Sequence, residues 1–200
     1  MSADQPGSAP PPLNESTAAE VFRVTADTAL FQALSPVDPT VWSSDRLVFD
    51  ARPKREWRTL ETYLLNPQLR EGHFLYLCPG ALVLDEHAYA CMADLLERAG
   101  ELLPVSLNTG RSLFLLNVTI CVDAVDVEKS EWTLSATTGK RLELKRYTML
   151  PERLPESTLF KVVQTVRGDV LTLTDGSAAD SFIQRYRSAN LSGLSFQRVG

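Results

Sequence analysis

The sequence predicts an α+β domain: a mixed, mainly antiparallel sheet with a central long hairpin and two main amphipathic helices. Three observations carry this. Residues 101–107 and 112–122 are two arms around Asn108-Thr109-Gly110-Arg111, where Gly110 is free to take φ > 0. Residues 85–99 place Tyr89, Met92, Leu95, Leu96 and Ala99 at helical spacing. Strand-like runs predominate elsewhere, and the second good helical pattern lies far away, after Ser177.

The second arm sets the expected register. Phe114, Leu116, Val118, Ile120 and Val122 make one unbroken apolar face. The other face, Leu113, Leu115, Asn117, Thr119, Cys121 and Asp123, begins apolar and becomes polar. Such a strand is central to a sheet and leaves the core at one end.

Two hundred residues suit one domain, expected over residues 20–200. Residues 1–19 are rich in Pro, Ser and Ala, bury almost nothing and are expected to be a disordered tail. Hydrophobic residues at 44% and charged ones at 22% are globular values. The net charge of -5 is uneven: residues 1–100 hold 14 acids against 8 bases, and residues 101–200 hold 11 against 12. An acidic half disfavours nucleic acid and anionic membranes as partners and favours a basic protein. The three cysteines, Cys78, Cys91 and Cys121, form no CxxC pair and read as reduced, buried thiols. The first residues lack the basic start and apolar core of a signal peptide, so a cytoplasmic location is expected. No apolar run approaches the ~20 residues of a membrane span.

Residues 20–24 are a strand candidate. Asp27 can cap one or two helical turns with Leu30, Phe31 and Leu34 on the apolar side, stopped by Pro36 and Pro39. Residues 47–49 and 73–78 read as strands, and residues 81–84 as a short extended piece. Asp85 is the N-cap of the clearest helix, Asp94 and Arg98 can pair across one turn, and Gly100 is expected to end it in the left-handed conformation. Residues 132–136 and 140–149 read as a strand pair, with Leu142 and Leu144 on one dry face. Residues 159–166 and 170–173 read as partners across Arg167-Gly168-Asp169. Ser177 and Asp180 form a capping-box pattern before a helix burying Ala179, Phe182, Ile183 and Tyr186, and residues 194–199 read as a last strand.

Chemistry is sparse. Asp85, Glu86 and His87 could hold a metal, but helix capping accounts for the two acids better. Asp123, Asp126 and Glu128 gather after the long strand, where they can act as acid and base or simply solvate a turn; Lys129 favours the turn. Arg52, Lys54, Arg55 and Arg58 surround Trp57, a pattern that can stack nucleic acid but reads better as a solvated face with one packed Trp. There is no GxSxG elbow and no Gly-rich phosphate loop, and no cysteine has a convincing histidine partner. No catalytic, cofactor-binding or metal-ligating residue is assigned.

The segments LVLDEHAYACMADLLERAGELLPV, LFLLNVTICVDAVDVEKS, LFKVV, VLTLTDGSAADSFIQRY and LSGLSF resemble, in order and spacing, a family of immunity proteins from bacterial polymorphic-toxin systems. That family was first described as a domain of unknown function and later as the eleventh immunity-protein family. The resemblance covers roughly residues 70–198, and Trp57 with the segment before it matches loosely. Relatives usually carry a Trp near the terminus, where this chain has none. The resemblance implies a cytosolic protein that binds and silences a cognate toxin by stoichiometric complex formation, with no catalytic residues and no cofactor. The acidic first half is the expected contact surface, since many toxins that act on nucleic acid are basic. Two alternatives stand beside it. One is a small enzyme reversing a toxin's modification, which a pocket gathering Asp123, Asp126 and His87 would favour. The other is a non-catalytic adaptor binding through its Pro-rich tail.

Overall fold

The computed structural model describes residues 20–156, 158–174 and 181–200. The expected tail, residues 1–19, and the expected capping box at Ser177 and Asp180, with Ala179, lie outside the described residues. In chain order the elements are β1 (Val21–Ala26), β2 (Leu34–Pro36), β3 (Leu60–Leu64), β4 (Phe74–Leu75), β5 (Leu82–Leu84), α1 (Glu86–Ala99), β6 (Gly100–Leu107), β7 (Ser112–Val118), β8 (Cys121–Val122), β9 (Glu131–Leu134), β10 (Arg141–Arg146), β11 (Leu159–Val162), β12 (Val170–Leu173), α2 (Phe182–Ser188) and β13 (Leu194–Arg198).

The class is α+β, with most of the regular structure in mixed sheets. The strands form two larger sheets, not one. The first has the order β2-β3-β6-β7-β5-β4, the second β13-β1-β12-β11-β8, and β9 with β10 stand apart as a two-stranded sheet. Each larger sheet contains one parallel pair, β3 with β6 and β11 with β8. The six-stranded sheet curls until its ends meet. Ala33 bridges Tyr76 in parallel, and the Leu34 N–H donates to the Tyr76 carbonyl at 2.7 Å. The result is a small, nearly closed barrel. Leu60, Leu75, Val83, Val105, Leu113 and Leu115 are buried together in its interior, as the alternation of strand side chains requires. Val41 and Phe49 from the segment between β2 and β3 join that cluster and plug it.

Both helices bear on the outside of this barrel. Asp85 caps α1 by accepting from the Ala88 N–H at 2.8 Å, and the helix buries Ala88, Met92, Leu95, Leu96 and Ala99. Ser181 caps α2, which buries Phe182, Ile183 and Tyr186. Their apolar stripes share one cluster with Phe74, Leu82, Leu84, Leu116 and Val118 of the barrel wall, and with Val24, Leu159 and Val170 of the five-stranded sheet. The opposite face of that second sheet, with Phe160, Val162 and Leu171, is covered by Leu144, Trp132 and Tyr147 from the region of β9 and β10.

Several expectations are corrected. Asp27 caps only a turn: its carboxylate accepts from Ala29 and Leu30, and the chain then extends into β2. Residues 45–47 form a 3-10 turn instead of a strand start. The expected strand at residues 73–78 is paired regularly only at Phe74–Leu75. Gly100 is not left-handed; its φ is 174°, which is extended. The position still excludes other residues, because a Cβ there would collide with the Asn117 carbonyl oxygen. Strand β7 stops at Val118 because the Thr119 N–H turns to the Ala99 carbonyl at 3.0 Å. The chain then crosses to the second sheet, where Ile120 O accepts from Lys161 N at 2.8 Å. Ile120 and Val122 therefore pack in a different cluster from Leu116 and Val118. Asn117, expected on a polar face, is wholly buried. Its amide donates to Arg52 O and Glu101 Oε1, both at 2.8 Å, and so ties the plug to the barrel. Irregular pairing between Arg141 and Glu143 separates Leu142 from Leu144: Leu144 is buried and Leu142 is 66% exposed. Strand β11 ends at Val162 and passes into a 3-10 turn.

Candidate functional site

Four regions carry side chains that could act. The first is a bare part of the barrel wall. On β7, β5 and β4 the outward side chains are buried under the helices and the second sheet. On β3 they are not. Glu61 and Tyr63 point outward and are exposed, as is Leu65 just beyond the strand. Their cross-strand neighbours are Val37, through its N–H to Glu61 O, and Ser35 opposite Tyr63. Pro104 of β6 continues the exposed surface. Five of the eight exposed large apolar side chains among the described residues lie here or close in sequence: Leu30, Val37, Trp42, Tyr63 and Leu65. Charge does not gather on this stretch. Residues 30–71 hold six acids (Asp38, Asp45, Asp50, Glu56, Glu61, Glu71) and six bases (Arg46, Arg52, Lys54, Arg55, Arg58, Arg70).

The second region is a cleft of about 390 Å³ between β10 and the turn at residues 163–169. Arg23, Asp169, Thr165 and Gln164 line it, with Trp132, Leu142 and Leu144 as apolar walls. Arg23 Nε lies 3.0 Å from Asp169 Oδ1, and Arg23 Nη2 donates to the Tyr147 hydroxyl at 3.3 Å. Tyr147 in turn donates to Asp169 Oδ2. Burial first, and then the Asp169 charge, push the Tyr147 hydroxyl up to about 12.

The third is Lys161, wholly buried on β11. Its ammonium donates to Phe49 O at 2.6 Å, joining the second sheet to the barrel plug. Burial pulls its titration down to about 8. Cys78 and Cys121 lie within electrostatic reach of it, and burial pushes the Cys78 thiol up to about 12. A thiol held this high is protonated and a poor nucleophile. The sequence signal for Lys161 is a lone lysine between Phe160 and Val162 in an apolar strand run.

The fourth is the histidine pair. The rings of His73 and His87 sit 5.1 Å apart, and His87 Nε2 is 3.8 Å from Cys91 Sγ, one helical turn on. His73 Nδ1 accepts the Ser192 N–H at 3.1 Å and lies 3.0 Å from the Ser192 hydroxyl, so that nitrogen is engaged by the chain itself. Among the described residues no group of three or more His, Cys, Asp or Glu side chains is placed to hold a metal ion.

The acids weighed from sequence are dispersed. Asp126 accepts from the Glu128 and Lys129 N–H groups and pairs with Lys129 at 3.2 Å, which holds its carboxyl below the usual range. Asp123 accepts from Gln164 Nε2 at 2.9 Å and faces Arg153. Glu128 pairs with Arg141. His87 sits on α1, in none of these interactions. Asp85 is occupied by its cap and by Arg111. Trp57 packs against Phe49 and donates to Pro104 O at 3.0 Å, with the Arg46 guanidinium 4.9 Å from its ring. No described helix is long and apolar enough to cross a membrane. No protein-family model matches the chain, and no curated protein matches it.

Proposed function

We propose that this chain is an immunity protein that neutralises a cognate bacterial toxin in the cytoplasm by stoichiometric binding. The bare β2-β3-β6 wall is its contact face. The carrying observation is that Val37, Tyr63 and Leu65 stay exposed at that wall. Aromatic side chains that stay exposed beside aliphatic ones are the usual anchors of protein interfaces. The sequence resemblance supplies the kind of partner. Residues 30–71 carry as many bases as acids, so contact area, not long-range steering, is the main contribution to affinity.

The test is co-expression with the toxin encoded beside the gene, followed by co-purification. Growth rescue with a recovered one-to-one complex is expected. Tyr63→Ala together with Leu65→Lys should abolish both without lowering the melting temperature, since both side chains are exposed. Rescue with no complex recovered would refute binding and point to an enzyme that reverses the toxin's modification.

A further inference from the structure

His87 and Cys91 stand four residues apart on α1, so one turn stacks them on the same face of the helix. His87 Nε2 lies 3.8 Å from Cys91 Sγ. His87 is exposed and Cys91 half-buried, so solvent reaches the pair. The other two cysteines, Cys78 and Cys121, lie near Lys161 instead of a histidine. A neutral imidazole nitrogen and a thiolate are the donors that a borderline divalent ion such as Zn²⁺ selects, whereas Mg²⁺ and Ca²⁺ select oxygen. With Zn–N bonds of ~2.0–2.1 Å and Zn–S bonds of ~2.3 Å, donors 3.8 Å apart subtend about 120° at the ion, close to the tetrahedral angle. The two donors therefore already stand at the spacing that one ion requires.

We propose that His87 and Cys91 form a surface site for a divalent transition-metal ion of the Zn²⁺ class, with water completing the coordination shell. On binding, His87 Nε2 gives its lone pair and its Nδ1 carries the imidazole proton. The Cys91 thiol loses its proton to solvent and binds as the thiolate, so one proton is released per ion. Affinity falls as the pH drops, because protons compete for both donors. The chain also supports the His87 ring. The His73 ring packs against it with centroids 5.1 Å apart, and His73 is itself fixed by the Ser192 N–H at Nδ1. His73 is thus a positioning residue that limits where the His87 ring can turn. The bound ion joins two successive turns of α1, and an ion that binds only the folded chain raises its stability by mass action.

The test uses the full chain, kept reduced with a phosphine, and Co²⁺ as a coloured stand-in for Zn²⁺. Titration with cobalt chloride is expected to give a saturable thiolate-to-cobalt charge-transfer band at one ion per chain. Zinc chloride should erase the band and magnesium chloride should leave it. His87→Ala and Cys91→Ser should each weaken cobalt binding by about tenfold or more, since each removes one of two donors. Both variants should keep the wild-type far-ultraviolet circular dichroism, because neither residue is in the buried stripe of α1. Cys121→Ser should leave the band in place. Excess Zn²⁺ should raise the melting temperature of the wild type and of neither donor variant. No saturable band at millimolar Co²⁺, or a band that survives Cys91→Ser, overturns the site. Equal stabilisation by zinc of the wild type and both variants overturns it as well. None of these measurements involves the toxin, so the metal site can fail while the toxin reading stands.

Discussion

Lys161 should make the protein respond to alkaline pH in a way that one substitution removes. Its ammonium is wholly buried, with one carbonyl, Phe49 O, as its hydrogen-bond partner. Lowering the titration point from 10.5 to about 8 corresponds to about 3 kcal/mol at ~1.36 kcal/mol per pH unit. Below pH 8 the amine is charged in both the folded and unfolded chain, and folding bears the full cost. Between pH 8 and 10.5 only the unfolded chain holds the proton, so stability rises with pH; above that range the cost is gone. Cys78 works in the opposite sense. Its thiol is raised from 9.0 to about 12, so its contribution to stability is lost as pH climbs through that interval. The wild-type curve alone therefore blurs the effect, and the comparison with Lys161→Met isolates it. At pH 7 the variant escapes the cost of a buried charge but leaves Phe49 O without its donor, a loss of about 1–3 kcal/mol. The two proteins should then differ by no more than about 2 kcal/mol. By pH 10.5 the wild type should have gained about 3 kcal/mol on the variant. Urea unfolding at a series of pH values reads this directly. Parallel stability curves would refute the reasoning, because they would mean that Lys161 titrates alike in the folded and unfolded chain.

Three further outcomes are expected. Gly100→Ala should destabilise by well over ~1 kcal/mol in chemical denaturation, because its Cβ meets a backbone carbonyl that cannot move aside, whereas Gly110→Val, with open space around it and φ of 89°, should cost only about 1 kcal/mol of backbone strain. Leu144→Ala should cost ~2–5 kcal/mol by opening a cavity, while Leu142→Ala should lie within ~0.5 kcal/mol of wild type; reversed magnitudes would place the pairing irregularity of β10 elsewhere. Co-purification of the toxin should survive a rise in salt with little loss, since the bare wall sits in a stretch with as many bases as acids, and steep salt sensitivity would move the interface to another surface.

Much of the local structure was legible because it depends on near neighbours. The cap at Asp85 and the stripe of α1 follow from residues within one turn of each other, and both are found. What failed depended on partners far away in sequence. Nothing near Asn117 announces that Arg52 O and Glu101 would make a buried amide acceptable. The break after Val118 is set by Ala99 O and by the approach of β11, so the alternation of Ile120 and Val122 continued in the sequence while the strand did not. Leu142 followed its strand's period on paper, and one irregular pair displaced it. Of the candidate sites, the exposed wall and the cleft were both illegible. Exposure of Tyr63 is decided by which third of a barrel the helices leave uncovered. The group of Arg23, Tyr147 and Asp169 joins three distant segments.

The place of β1 sets the order in which this protein can be made. β1 lies inside the five-stranded sheet, with Val21 opposite Leu173 on one side and Phe22 opposite Arg198 on the other. Both partners come far later in the chain. During synthesis β1 therefore waits for β12 and β13 before its edges are satisfied. The barrel strands have shorter waits: β6 and β7 are neighbours, and Leu60 needs only Val105. The barrel can close first and present its outer wall, while the second sheet completes only once β12 and β13 have followed, through contacts whose loop closure is slow. In that interval Val21 and Val24 are bare, and a chaperone or aggregation competes for them. Shortening the chain within β13 would leave β1 half-paired for good, so the last strand decides whether the first one folds.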